Sequence, residues 1–359
     1  MKLLINASIL KKQNTGLGVY TYQVLKYVCP ILRNKNIDFD ILCSSKELLP
    51  DSCRKYAIEN KYSNYVERNL NTIKLAQKYD LIWSTTQHGT ETNKKQIITI
   101  HDVIPIIYPK GRLHQWIYYK FFLKRYIKKS VKVFTVSQST KNDIVKYYNC
   151  KENKIKVLYE AIENNQSKIV ITDDVLKSYK LDKLMYFVIV GIHYSYKNLH
   201  SVIEAFKVFE ELRKYKLIII GNDNCEYGNE LKTFVKNNNL EENILFTGFI
   251  EDEVKNTLLV NCLACVYPTL YEGFGLPILE AMKLDVPVIC SDSSSLPEVG
   301  GDAVLYCDSR DINDIRNKMI YISKNKNFRE ILIRKGKENI MRFDWEKIAV
   351  NMVDEICEV

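Results

Sequence analysis

No stretch of this 359-residue chain stays apolar for the length of a bilayer crossing, and the opening run Leu3-Leu4-Ile5 is too short for a secretory signal. The expectation is a cytoplasmic protein. A disulfide framework is also missing: the ten cysteines are scattered, mostly inside apolar runs, and read as reduced core residues. Cys262 and Cys265 form a C-x-x-C around Leu263 and Ala264, but no second pair or nearby histidine accompanies them, so packing outweighs zinc or redox chemistry. No helix-turn-helix, zinc-finger or RNP-like pattern occurs, which argues against nucleic acid as a partner. Acid is absent altogether between Val103 and Asn142, where nine lysines and arginines stand. Residues 1–180 hold 31 bases against 15 acids and residues 181–359 hold 21 against 28, so the halves carry +16 and −7. Two domains with different partners fit that asymmetry, the basic one facing an anionic membrane surface or a phosphorylated acceptor.

What is present begins with Tyr271-Glu-Gly-Phe-Gly-Leu-Pro-Ile-Leu-Glu280. An apolar run, Leu263 to Tyr267, precedes it as a strand, and Pro277 suits the first position of a helix continued by Ile278, Leu279, Met282 and Leu284. Gly273 and Gly275 then lie just ahead of a helix N-terminus, where Gly275 and Leu276 offer backbone N–H groups to an anion such as diphosphate. Glu272 and Glu280 bracket this site. Carboxylates repel phosphate, so sugar hydroxyls are the better partners: a ribose diol for Glu280 and the transferred sugar for Glu272. Two blander readings stand beside these, a dipole-favoured acid in the first helical turn and a solvated loop residue.

The run E-G-F-G-L-P-I-L-E-A-M, with Val286-Pro287-Val288, Ser294-Ser-Leu-Pro-Glu-Val-Gly-Gly-Asp-Ala303 and the F-x-W of Phe343 and Trp345, resembles the donor-site signature of the retaining GT-B glycosyltransferases of family 4, or glycosyltransferase group 1. The resemblance implies an α/β GT-B fold, two Rossmann-like domains around an interdomain cleft. Their expected limits are 1–165 for an acceptor-binding domain, 166–340 for a donor-binding domain, and 341–359 for a C-terminal helix packing back toward the first. It also implies a nucleotide-sugar donor, no cofactor and no metal. Phe274 and Leu276 join the glycines as donor contacts.

Taken in order, strands and helices alternate as in parallel α/β sheets. Strands are expected at Lys2–Ile5, Phe39–Cys43, Leu81–Ser84, Gln96–Ile100, Val131–Val136 and Lys154–Tyr159, with helices at about 19–28 and at Ser137–Tyr148. A polar hinge follows at Glu163 to Ser167, and then strands at Met185–Val190, Leu217–Gly221 and Ile244–Gly248. Gly16 and Gly18 in G-x-G-x-Y are tight-turn residues by themselves, and by resemblance they touch phosphate or acceptor. His101 ends a strand, where parallel sheets bind ligands. Its H-D-x-I-P is similar to family members handling mannose or deoxy-sugars, which sets it against the donor sugar. The alternative is a histidine that staples the loop. Lys197 and Asn198 match the family's diphosphate-neutralising loop, although Tyr196 and Ile192 stand where its arginine is expected, and His193 remains unassigned. Phe249 and Ile250 fall where the family contacts the nucleotide base.

Trp116 to Leu123, inside the acid-free run, reads either as an amphipathic basic helix for anionic lipid or as an ordinary helix with its aromatic side in the core. The combined expectation is a retaining, metal-independent hexosyltransferase using His101, Glu272 and Lys197, peripheral at the inner face of the membrane, with a lipid-linked oligosaccharide acceptor of cell-surface polysaccharide synthesis. Two alternatives are an inactive sugar-nucleotide scaffold, to which the missing arginine lends weight, and a metal-dependent GT-A enzyme built on Asp38-Phe39-Asp40.

Overall fold

The computed structural model describes residues 1–12, 16–60, 65–163, 173–192 and 194–359. These divide into two compact units, one of Met1–Ala161 with Phe343–Val359 and one of Ile162–Arg342. The expected hinge lies, beyond Glu163, outside the described residues, as do His193 and the residues just ahead of Gly16.

The first unit carries β1 (Lys2–Asn6), β2 (Asp38–Cys43), β3 (Ala57–Glu59), β4 (Leu81–Ser84), β5 (Lys95–Ile100), β6 (Lys132–Thr135) and β7 (Ile155–Val157). They form one sheet in the order β3-β2-β1-β4-β5-β6-β7, every pairing parallel. The second unit carries β8 (Tyr186–Val190), β9 (Lys216–Ile220), β10 (Ile244–Gly248), β11 (Ala264–Tyr267), β12 (Val288–Ser291) and β13 (Leu305–Cys307), in the order β10-β9-β8-β11-β12-β13. Both repeat the doubly wound order in which the sheet grows outward from its first strand and then reverses. The reversal leaves a crevice at the carboxyl ends of the two innermost strands, β1 and β4 in one unit, β8 and β11 in the other.

The central strands are apolar on both faces because helices cover both, which is why Leu-Leu-Ile in β1, Tyr-Phe-Val-Ile in β8 and Ala-Cys-Val-Tyr in β11 are buried without alternation. The short strands β3 and β13 escape a sequence reading, being only three residues long and not fully buried. The first helix runs from Gly16 to Asn34, well past the expected end, and continues through Pro30. Its buried side chains at Tyr20, Val24, Leu25, Val28 and Leu32 keep helical spacing, so packing outweighs the one hydrogen bond that proline removes.

The helix Trp345–Cys357 closes the first unit. Asp344 caps it by accepting from Glu346 N, Trp345 stacks on Tyr27 at 6.2 Å, and Phe343 meets the Tyr159 ring edge-on at 5.6 Å. Near its end, Glu355 accepts from Lys156 at 2.6 Å and from Lys132, tying the helix to β6 and β7.

Candidate active site

Lys197 and Glu272 meet at the second unit's switch point. Lys197 ends a short turn, Ser195–Lys197, in the loop leaving β8, and Glu272 lies in the loop leaving β11. The Lys197 ammonium donates to Glu272 Oε1 at 2.7 Å and to the Tyr267 hydroxyl at 3.4 Å. Both charged side chains are largely enclosed, 18% and 11% exposed. Burial alone would push the ammonium down, but the Glu272 carboxylate, with Tyr267 and Tyr196 beside it, outweighs burial and holds Lys197 above its ordinary value. Burial also pushes the Tyr267 phenol up, with Glu272 adding to it.

Backbone and hydroxyl contacts set the two loops against each other. Leu270 N donates to Tyr196 O at 2.8 Å, and the Thr269 hydroxyl reaches the same carbonyl at 3.2 Å. Ser294 Oγ accepts from Glu272 N at 2.8 Å, while the buried Ser295 hydroxyl bonds Glu272 O at 3.0 Å and Phe274 O at 2.6 Å. Asn198 is spent on this scaffold. Its side-chain amide donates to Pro268 O and Ser309 O, and its Oδ1 accepts from Ser201, so this buried side chain positions the loop behind Lys197.

Gly275 precedes the helix Leu276–Lys283 with φ +118°, and a Cβ there would lie 2.8 Å from Leu296 Cδ2. Backbone geometry and space both demand glycine. Beside it, Gly273 and Phe274 are buried. Leu276 opens the helix, whose first N–H groups have no helical acceptor. Glu280, one turn on, is 39% exposed and faces Lys255 of the helix Asp252–Val260 at 3.6 Å. Lys255 is pulled down by burial and up, on balance, by Glu280 and Asp252. Phe249 follows β10 with 77% of its surface exposed, which is unusual for so large an apolar ring, and Ile250 is half-buried beside it. The expected arginine positions hold Ile192 and Tyr196, both buried.

In the first unit, His101 is buried at the carboxyl end of β5. Its Nδ1 lies 3.0 Å from Glu160 Oε1 and its Nε2 3.3 Å from Thr85 O, while Tyr20 packs edge-on at 4.4 Å. Thr21 and Thr85 hydroxyls join at 3.0 Å, linking the first helix to the end of β4. His101 therefore knits β4, β5, β7 and the first helix together. Gly16 begins that helix exposed with nothing within 4 Å of a would-be Cβ, and Gly18 is buried.

The family description "Glycosyl transferases group 1" matches residues 170–339, and "Glycosyltransferase Family 4" matches residues 16–166. The chain is 30% identical over 330 residues to the O-antigen chain mannosyltransferase RfbU of Salmonella typhimurium, covering 86% of this chain and 87% of that protein. It belongs to the group 1 glycosyltransferases of family 4. A second relative, O-antigen chain mannosyltransferase B of Escherichia coli, is 29% identical over 73% of this chain and 70% of its own length. The crystal structure of Anabaena Alr3699/HepE in complex with UDP and glucose matches all of both chains with a TM-score of 0.76 at 16% identity. The fold is GT-B and the protein is a glycosyltransferase, which sets aside the GT-A alternative.

Within this glycosyltransferase, Asp38 and Asp40 lie on β2 and pair with Lys2, and Asp40 also accepts from Tyr79. Among the described residues, no group of three or more His, Cys, Asp or Glu is arranged to hold a metal, and no helix is long and apolar enough to cross a membrane. Sequence reasoning missed Glu160 and Lys255. Glu160 leaves one signal, a lone acid in the otherwise uncharged Leu158 to Ile162 just past a strand. Lys255 leaves none, since it looks like any lysine of a surface helix.

The basic segment forms a continuous helical stretch, Leu113–Ile117, a wider π-helical turn at Tyr118–Leu123, and Lys124–Lys129. Its apolar side chains divide between core and surface. Tyr119, Leu123, Tyr126 and Ile127 are core, while Leu113, Ile117, Phe121 and Phe122 are exposed. Lys120 covers the Trp116 ring at 4.3 Å, and Arg125 and Lys129 bind Glu91.

Proposed function

We propose that this glycosyltransferase moves a hexose from a nucleoside-diphosphate sugar to a glycan acceptor with retention and without a metal. The observation that carries this reading is the Lys197–Glu272 pair beside the Gly275-led helix N-terminus, at the switch point of the second sheet. Cation and helix amides suit the leaving diphosphate, and the carboxylate suits sugar hydroxyls and the positive charge that grows on the ring as the C1–O bond breaks. Exposed Phe249 fits the nucleotide base and Glu280 the ribose. His101 in the first unit serves the donor sugar, and Gly16 and Gly18 serve phosphate or acceptor.

In this scheme the acceptor hydroxyl bonds C1 on the face the diphosphate leaves. Its proton passes to the departing phosphate oxygen, so no enzyme nucleophile is needed. The Salmonella and Escherichia relatives, both O-antigen chain mannosyltransferases, favour mannose and an O-antigen-like acceptor. The exposed Leu113, Ile117, Phe121 and Phe122, set among bases in an acid-free run, favour docking of the first unit on an anionic membrane surface.

A panel of UDP- and GDP-hexoses with EDTA present tests the donor and the metal together. Nucleoside diphosphate release from one of them is the expected result, and activity that returns only with added divalent ion would overturn metal independence. The anomeric configuration of the product by NMR tests retention, and inversion would exclude same-face transfer.

A further inference from the structure

The Lys197 ammonium is already committed. Glu272 lies at 2.7 Å as its carboxylate partner among the described residues, both side chains are largely enclosed, and the Ser294 and Ser295 hydroxyls pin the Glu272 backbone in place. A diphosphate entering this site competes with Glu272 for the same cation. If Lys197 turns to phosphate, Glu272 is left as a buried anion without its counter-charge, an arrangement that is strongly disfavoured. An intact nucleotide sugar relieves it, because sugar hydroxyls donate to the carboxylate as the ammonium leaves. The free nucleoside diphosphate lacks the hexose that brings these donors to Glu272.

We infer that Glu272, by holding Lys197, makes the site discriminate between the donor and its own leaving group, weakening the product more than the substrate. The inference rests on the donor-site reading above and deepens it. Glu272 acts as a specificity determinant through Lys197, and its removal has an uncommon sign: the variant binds the free diphosphate more tightly. Simple loss of a binding residue predicts the reverse. Direct repulsion between Glu272 and phosphate predicts tightening too, but tightening that does not depend on Lys197.

The test is a double-mutant cycle with UDP and GDP, titrated separately by calorimetry into wild type, Glu272→Gln, Lys197→Gln and the double variant, with thermal melts to verify folding. The expected result is that Glu272→Gln tightens the bound diphosphate by about 5- to 150-fold, the usual range for coupled sites, and that the gain disappears in the Lys197→Gln background. Turnover with the intact donor falls in the same variant, so product affinity and activity move in opposite directions. Unchanged or weaker binding in Glu272→Gln, alongside weaker binding in Lys197→Gln, overturns the inference and leaves the donor site standing. Equal tightening in both backgrounds overturns it in favour of direct repulsion. If neither nucleotide binds any variant, the donor-site reading falls and the inference with it. Should Glu272→Gln fail to fold, Glu272→Asp draws the carboxylate back by one methylene and should show part of the same gain; no gain there overturns the inference.

Discussion

At the scale of single residues, the two histidine contacts define what His101 can do. Both ring nitrogens face acceptors, Glu160 Oε1 and Thr85 O, so the ring is held in one orientation, and the 3.3 Å contact to the carbonyl is the weaker of the two. If the ring serves the donor sugar as charge develops, His101→Ala lowers kcat by about 10²–10³-fold while nucleoside diphosphate affinity barely changes. Steady-state kinetics beside calorimetry decides between this and a purely structural staple, which would lower stability and both constants together. Because the truncation leaves Glu160 buried without its partner, Glu160→Gln belongs in the same comparison. Glu280 gives a second residue-level prediction. Loss of a charge-assisted bond to ribose is worth about 1.5–3 kcal/mol, so Glu280→Ala should weaken UDP or GDP binding roughly tenfold or more. Lys255→Met separates the causes: an equal loss in that variant assigns the effect to the salt bridge, and unchanged affinity in Glu280→Ala removes the ribose role.

At the scale of elements, the helix Leu276–Lys283 depends on the glycine before it. Gly275→Ala would force a side chain into φ +118° and against Leu296, a strain on the order of 1–3 kcal/mol before any repacking. The expected outcome is a lower melting temperature together with weaker diphosphate binding, since the amides that would face the anion shift with the turn. The C-terminal helix makes a pH prediction. Burial pushes the Glu355 carboxyl up, but its bonds from Lys132 and Lys156 outweigh burial and hold it below the ordinary glutamate value. A depressed folded value means the stabilisation is complete above the unfolded pKa of about 4.3 and is lost as pH falls through the folded one. Glu355→Gln should therefore cost about 1.5–3 kcal/mol at neutral pH and flatten the acid limb of a denaturation profile. An unchanged acid limb would show that other carboxylates control it.

At the scale of the molecule, the charge asymmetry between the halves and the outward face of the segment 113–129 converge on one prediction. Phe121→Ser with Phe122→Ser, at positions exposed in the folded chain, should abolish co-sedimentation with anionic vesicles while leaving thermal stability intact. Raised salt should weaken binding of the parent protein. Parent protein that ignores such vesicles would favour a soluble acceptor. Arg125 and Lys129 are poorer targets than a basic reading of the sequence suggests, because Glu91 already engages both.

The fold class, the strand-turn-helix built on Gly273 to Pro277 and the family were legible in the sequence because each is written in consecutive residues. A glycine before Leu276-Pro277 specifies a turn and a helix start by local backbone energetics alone, and uninterrupted runs such as Tyr186–Val190 specify buried parallel strands. Only the tertiary structure could decide which charges meet. Lys197 and Glu272 are 75 positions apart and His101 and Glu160 are 59 apart. No local pattern encodes either pair. They meet because the strand order reverses between β8 and β11 and carries β4, β5 and β7 across the first sheet, bringing the carboxyl ends of remote strands within one side chain's reach. The same packing gave the Asn198 side chain its scaffold bonds and Glu280 a lysine partner, since a polar side chain takes whichever acceptor or counter-charge the folded neighbourhood supplies.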